Sequence, residues 1–90
     1  MKAAYHESGL SKKVQAVHRA LASVIEELEA VDWYNQRADV AEDGELKKIL
    51  LHNRDEEIEH ASMLLEWLRQ RIPAFDGELR TCLFTEEDED

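Results

Sequence analysis

Ninety residues suffice for one small domain, and 36% of them are charged, against roughly 25% in an ordinary soluble domain. The formal net charge of −10, from 21 acidic and 11 basic side chains, lacks the basic footprint that nucleic acid requires. Nothing approaches the ~20 consecutive apolar residues of a membrane span, and Met1-Lys2-Ala3-Ala4-Tyr5-His6-Glu7 has no apolar leader core. With Cys82 as the lone cysteine, neither an internal disulfide nor a four-cysteine iron site is available. A single proline and three glycines, all near element boundaries, leave room for long helices. The expected class is all-α, in a reduced cytoplasmic setting, with His and carboxylate as the only credible metal ligands. The acidic balance suits cations, although a solvated surface is its commoner meaning.

Residues 1–8 are expected to fray, and either Ser8 or Ser11 is placed to cap a first helix over 9–40. Leu10, Val14, Val17, Leu21, Val24, Leu28 and Val31 recur at alternating steps of four and three, which is the seam of a coiled-coil-like helix. Ala41-Glu42-Asp43-Gly44 reads as a turn, with Asp43 placed to cap a second helix over 45–72. That helix stops before Pro73, since the residue preceding a proline avoids helical geometry. Its length would be about 40 Å, and a short turn makes the pair an antiparallel hairpin. A short helical piece is expected over 75–84, and the Glu-Glu-Asp-Glu-Asp run at 86–90 as a disordered acidic tail.

The second helix carries two apolar rows. One contains Leu46, Leu50, Leu64 and Trp67; the other contains Leu51, Ile58, Ala61, Leu65, Leu68 and Ile72. One partner helix covers a single narrow stripe, so a face this wide requires further partners. A lone hairpin also buries too little to be stable, and the chain is expected to oligomerise.

Glu57 and His60 fall on the first of those rows, between Leu50 and Leu64. An ionised carboxylate buried there without a partner costs several kcal/mol, and a divalent cation would offset that cost. Three residues apart, the two side chains stand side by side on one helix face. Taken alone, Glu-x-x-His is common by chance and serves equally to fix register in an oligomer. On the first helix, however, Glu27 lies at the seam edge beside Val24, Leu28 and Val31. Ferritin-like carboxylate sites take one Glu from each of two helices and a Glu-x-x-His from each of two others. This hairpin holds half of that set, and a two-fold axis would supply the rest. The expected architecture is a four-helix bundle completed on dimerisation, with Glu27, Glu57 and His60 as ligands from each copy. Mixed His and carboxylate donors suit iron or manganese.

Glu26 and Glu29, three apart on another face, form either a weak outer cation site or a solvated surface. Tyr34 stands seven residues beyond Glu27, either near the metal or simply packed. Trp33 and Trp67 read as packing anchors. His6, His18 and His52 lack partner ligands and read as surface residues, and no serine sits in a nucleophile motif.

At larger scale, Glu26-Glu27-Leu28-Glu29-Ala30-Val31-Asp32-Trp33-Tyr34, His52-Asn53-Arg54-Asp55-Glu56-Glu57 with Glu59-His60-Ala61, Leu64-Leu65-Glu66-Trp67-Leu68-Arg69, and Leu79-Arg80-Thr81 with Leu83-Phe84-Thr85-Glu86 resemble the encapsulated ferritins. The resemblance covers most of residues 18–86. It implies hairpins paired across a two-fold axis in a ring, typically a decamer. It implies oxidation of Fe(II) to Fe(III) at the subunit interface, inside an encapsulin nanocompartment that stores the mineral. Glu27, Glu57 and His60 match the ferroxidase ligands, with Glu57 as the bridge between two irons. Glu26 and Glu29, with Trp33, match the outer site through which metal reaches the centre, and Tyr34 matches an aromatic neighbour of that centre. Calcium, manganese or zinc would be alternative occupants in vitro. Members of that family usually carry a C-terminal extension with an apolar shell-targeting peptide, whereas these ninety residues end in the acidic run. The rival readings are a rubrerythrin-like di-metal peroxidase or oxidase and a metal-free helical adaptor.

Overall fold

The computed structural model describes residues 4–85, so the acidic run at 86–90 lies outside the described residues. All regular structure within them is helical: α1 (Lys12–Val40), α2 (Gly44–Arg71) and α3 (Pro73–Cys82). α1 starts at Lys12 because Ser11 is the cap, its hydroxyl accepting from the Val14 N–H at 3.1 Å. Gly9 has a φ of 75° and turns the chain ahead of that cap. The first helix therefore begins three residues later than 9–40 implies. Residues 4–9 are exposed, yet the Tyr5 ring meets His18 edge-on with centroids 4.8 Å apart.

Asp43 caps α2, accepting from Glu45 N at 2.8 Å and Leu46 N at 3.3 Å. Ile72, held extended ahead of Pro73, ends α2 and begins α3. Pro73 occupies the first turn of α3, where a missing N–H costs nothing and φ is already helical. The third helix thus runs over 73–82 instead of 75–84. It ends where Leu83 turns extended and Phe84 takes a φ of 58°. Arg69 of α2 bonds both Glu66 and Asp76, and Arg80 bonds Asp76 at 2.9 Å, so one carboxylate joins α2 to α3.

α1 and α2 form an antiparallel hairpin, with α3 packed on α2. The core is small: Ala20, Val24 and the fully buried Leu68, ringed by Val17, Leu64, Leu65, Trp67, Ile72 and Phe75. The hairpin seam on α1 differs from the expected row. Ala20, Val24 and Ala38 are buried on one face, and Ala22 on the opposite face in a groove shared with Tyr5 and Leu10, while Val14, Leu21 and Leu28 stay exposed. Apart from Val24, the buried side chains of α1 are alanines, and several larger ones are left exposed.

The molecule measures 50 × 40 × 17 Å, little more than one helix thick. Its radius of gyration of 16.7 Å exceeds the ~12 Å of a compact chain of this length. The accessible surface is 7085 Å², against about 5,400 Å² for a compact monomer of this mass.

Candidate metal centre

Glu27 is one helical turn beyond the core residue Val24, and His60 is one turn before Leu64. The two helices therefore bring Glu27, Glu57 and His60 together immediately beyond the core, on its hairpin-turn side. One ligand atom from each lies within 4.8 Å of the others. His60 Nδ1 stands 3.3 Å from Glu57 Oε1 and 3.6 Å from Glu27 Oε1. The two carboxylates are about three-quarters covered (25% and 24% exposed), and His60 is open at 47%. Among the described residues, this is the only convergence of three or more His, Cys, Asp or Glu ligand atoms.

The electrostatics follow from two facing carboxyls with one imidazole beside them. The hydrogen bond to Glu57, with burial second, pushes Glu27 above the ordinary carboxylate range. That same bond, reinforced by His60, holds Glu57 below it. His60 is pushed up from its ordinary 6.5, first by Glu57 and then by Glu27. Negative charge crowded in this way demands a compensating positive group, either a proton or a cation. Two oxygens and a nitrogen directed at one point form a donor set that fits a borderline-hard divalent ion such as Fe(II) or Mn(II). No thiol competes, since the exposed Cys82 lies at the end of α3.

The cluster also borders an open surface. Next to His60 runs a groove of about 530 Å³ lined by Arg19, Ala20, Ser23, Met63, Leu64 and Trp67. Of the three ligands, His60 is the one that faces this groove.

Glu26 and Glu29 are exposed and belong to no converging donor group. Trp33 and Tyr34 share a cation: the Arg37 guanidinium lies 5.9 Å from one ring centroid and 5.5 Å from the other. His52 is exposed and pairs with Glu56 at 3.2 Å, and His6 is exposed. Sequence reasoning missed the cross-hairpin hydrogen bond from Arg54 Nη1 to Asn35 Oδ1, at 2.9 Å. Its only sequence signal is Arg54 itself, seven and fourteen residues before the buried Ala61 and Leu68.

No helix within the described residues is long and apolar enough to cross a membrane. The family model described as EncFtn-like matches residues 2–86. A ferritin-like protein of Thermotoga maritima is 55% identical, over 92% of this chain and 75% of its own length. An encapsulated ferritin-like protein of Rhodospirillum rubrum is 64% identical over 77% of this chain, which spans about half (49%) of that relative's length. The crystal structure of a Nitrosomonas europaea protein superposes with a TM-score of 0.88 at 57% identity, covering 93% of this chain and 94% of the other. With its hairpin, its clustered ligands and these relatives, the chain belongs to the EncFtn-like family, the encapsulated ferritins.

Proposed function

We propose that this chain is a ferroxidase that oxidises Fe(II) to Fe(III) at a di-iron site shared between two copies. The observation that carries this reading is the convergence of Glu27, Glu57 and His60 within 4.8 Å on a hairpin that supplies only half a ligand set. A two-fold axis through the open rim would bring four carboxylates and two imidazoles together, nearly neutralising two divalent ions. Iron is the substrate here. Two Fe(II) ions held together give up one electron each to dioxygen, which leaves with two protons as hydrogen peroxide. The protein contributes ligand geometry and open coordination positions. The family resemblance assigns Glu57 the place between the ions, and its carboxyl is held below the ordinary range by Glu27 and His60.

The wider setting is iron storage and detoxification in an encapsulin nanocompartment, with the shell protein as partner and the copies arranged in a ring, typically a decamer. The description of the Rhodospirillum relative as encapsulated supports the shell partner. Glu26, Glu29 and Trp33, exposed on α1, are proposed as the outer site that iron meets first, and Tyr34 as an aromatic neighbour of the centre.

The test compares Fe(II) oxidation in air for the wild type and Glu57→Ala, with metal content determined on both. The wild type should bind about one iron per chain and outpace buffer, and the variant should do neither. Equal behaviour would make Glu57 a structural polar residue and the protein a helical adaptor.

A further inference from the structure

The ligands come from two helices, so the site exists only at one relative height of α1 and α2. The side chains that interlock best, Val24 and Leu68 with the ring around them, lie on one side of the ligands only. On the hairpin-turn side the buried residue is Ala38, a shallow side chain that interlocks little, and it specifies that height weakly. The tolerance is small. A slide of one helical turn is about 5.4 Å, more than the 4.8 Å within which all three ligand atoms now lie. Metal–ligand distances accept only about 0.2 Å of error.

Arg54 stands out on this seam. It occupies the position taken one heptad later by Ala61 and two heptads later by Leu68, both buried. A guanidinium there is a poor filler of an apolar seam, and it is 70% covered, being 30% exposed. Each of its three nitrogens donates one hydrogen bond. Nε and Nη2 bond Asp55 Oδ1 at 3.1 and 2.9 Å, and Nη1 crosses the hairpin to Asn35 Oδ1 at 2.9 Å. Asp55 thus orients a planar fork whose remaining arm reaches the other helix. Among the described residues, this is the one side-chain hydrogen bond joining α1 to α2 outside the ligand cluster. Arg54 precedes Glu57 by three residues and Asn35 follows Glu27 by eight, about 5 and 12 Å along their axes.

We propose that Arg54 is a positioning residue: its bond to Asn35 pins the hairpin at the height where Glu27 meets Glu57 and His60. The inference rests on the metal-site reading for its purpose, but the pin itself is a statement about helix register. Arg54 touches no reacting atom and acts through the two helices.

The test uses the full chain and two readouts: crystal structures of the metal-free proteins, which report register, and Co(II) titration followed by its visible spectrum, which reports affinity and coordination geometry. Arg54→Met should shift α1 against α2, weaken Co(II) binding about tenfold, the scale of one charged hydrogen bond, and alter the spectrum. Asn35→Ala removes only the acceptor, and it should do the same even if Arg54→Met does not fold. Asn35→Asp keeps an acceptor and should preserve both register and affinity. A register in Arg54→Met or Asn35→Ala that superposes on the wild type overturns the pin, whatever happens to affinity. A wild type that binds no Co(II) sinks the metal-site reading alone, and the register comparison still decides the pin.

Discussion

Glu27, Glu57 and His60 hold protons through the same atoms that would hold iron, so protons and metal compete. In the metal-free chain, the raised His60 contributes stability that is fully present below its unfolded value of 6.5. That contribution is lost as pH rises through the higher folded value. The unfolding free energy of the wild type minus that of His60→Gln should therefore fall from acid toward alkaline pH when metal is excluded. Metal affinity runs the other way, because the ion must displace the His60 proton. Co(II) or Zn(II) binding should tighten with rising pH in the wild type, and a flat titration curve would show that His60 is not a ligand. Glu57 and His60 were legible in the sequence because they interrupt an apolar row at helical spacing, where a polar group needs a reason, and Glu27 because it stands at the edge of the facing seam. Asn35 was not legible. Its partner lies nineteen positions away, and only the relative height of two helices decides whether they meet.

At the scale of elements, the helix ends are set locally and were mostly readable. Asp43 caps where a turn meets an apolar pattern, and Asp43→Ala should cost about 1 kcal/mol of stability in urea unfolding. The hairpin seam was harder to read, because apolar periodicity names the large residues while close packing uses the small ones. Val14, Leu21 and Leu28 looked like the seam, yet they stay exposed, and Ala20 and Ala38 are buried instead. Leu68 is the one large side chain wholly enclosed among the described residues, so Leu68→Ala should destabilise the hairpin by about 2–5 kcal/mol. α3 is held differently, by the ion network of Glu66, Arg69, Asp76 and Arg80. Glu66 is held down to about 2 from an ordinary 4.5 by Arg69, and Asp76 is lowered by Arg80 and Arg69. A depressed carboxylate stabilises above its unfolded value and loses that contribution as pH falls toward the folded one. Amide exchange in residues 73–82 should therefore accelerate relative to the hairpin as pH falls from 4.5 toward about 2, once corrected for intrinsic rates. Arg69→Met should remove that difference.

The shape of the whole molecule bears on the proposal of a shared site. A chain 17 Å thick has one layer of helices, and one layer cannot enclose a pair of ions. The surface in excess of a compact monomer is about 1,700 Å², twice the ~800 Å² that each partner buries in a standard interface. Apolar side chains occupy it: Ile25, Leu28, Ile49, Ile58 and Met63 are all exposed. Self-association should therefore persist without metal, and metal that binds only the paired form should strengthen it. The expectation of partners comes from the width of the apolar rows on α2. Which faces they cover could not be read there, because that depends on how α3 and residues 4–10 lie over the hairpin. The central claim is that iron binds between two copies, and native mass spectrometry of the protein loaded with Fe(II) under anaerobic conditions tests it most directly. The account predicts iron in assemblies with an even number of chains, at about one per chain, and none on single chains. Single chains carrying iron at the same occupancy would contradict it.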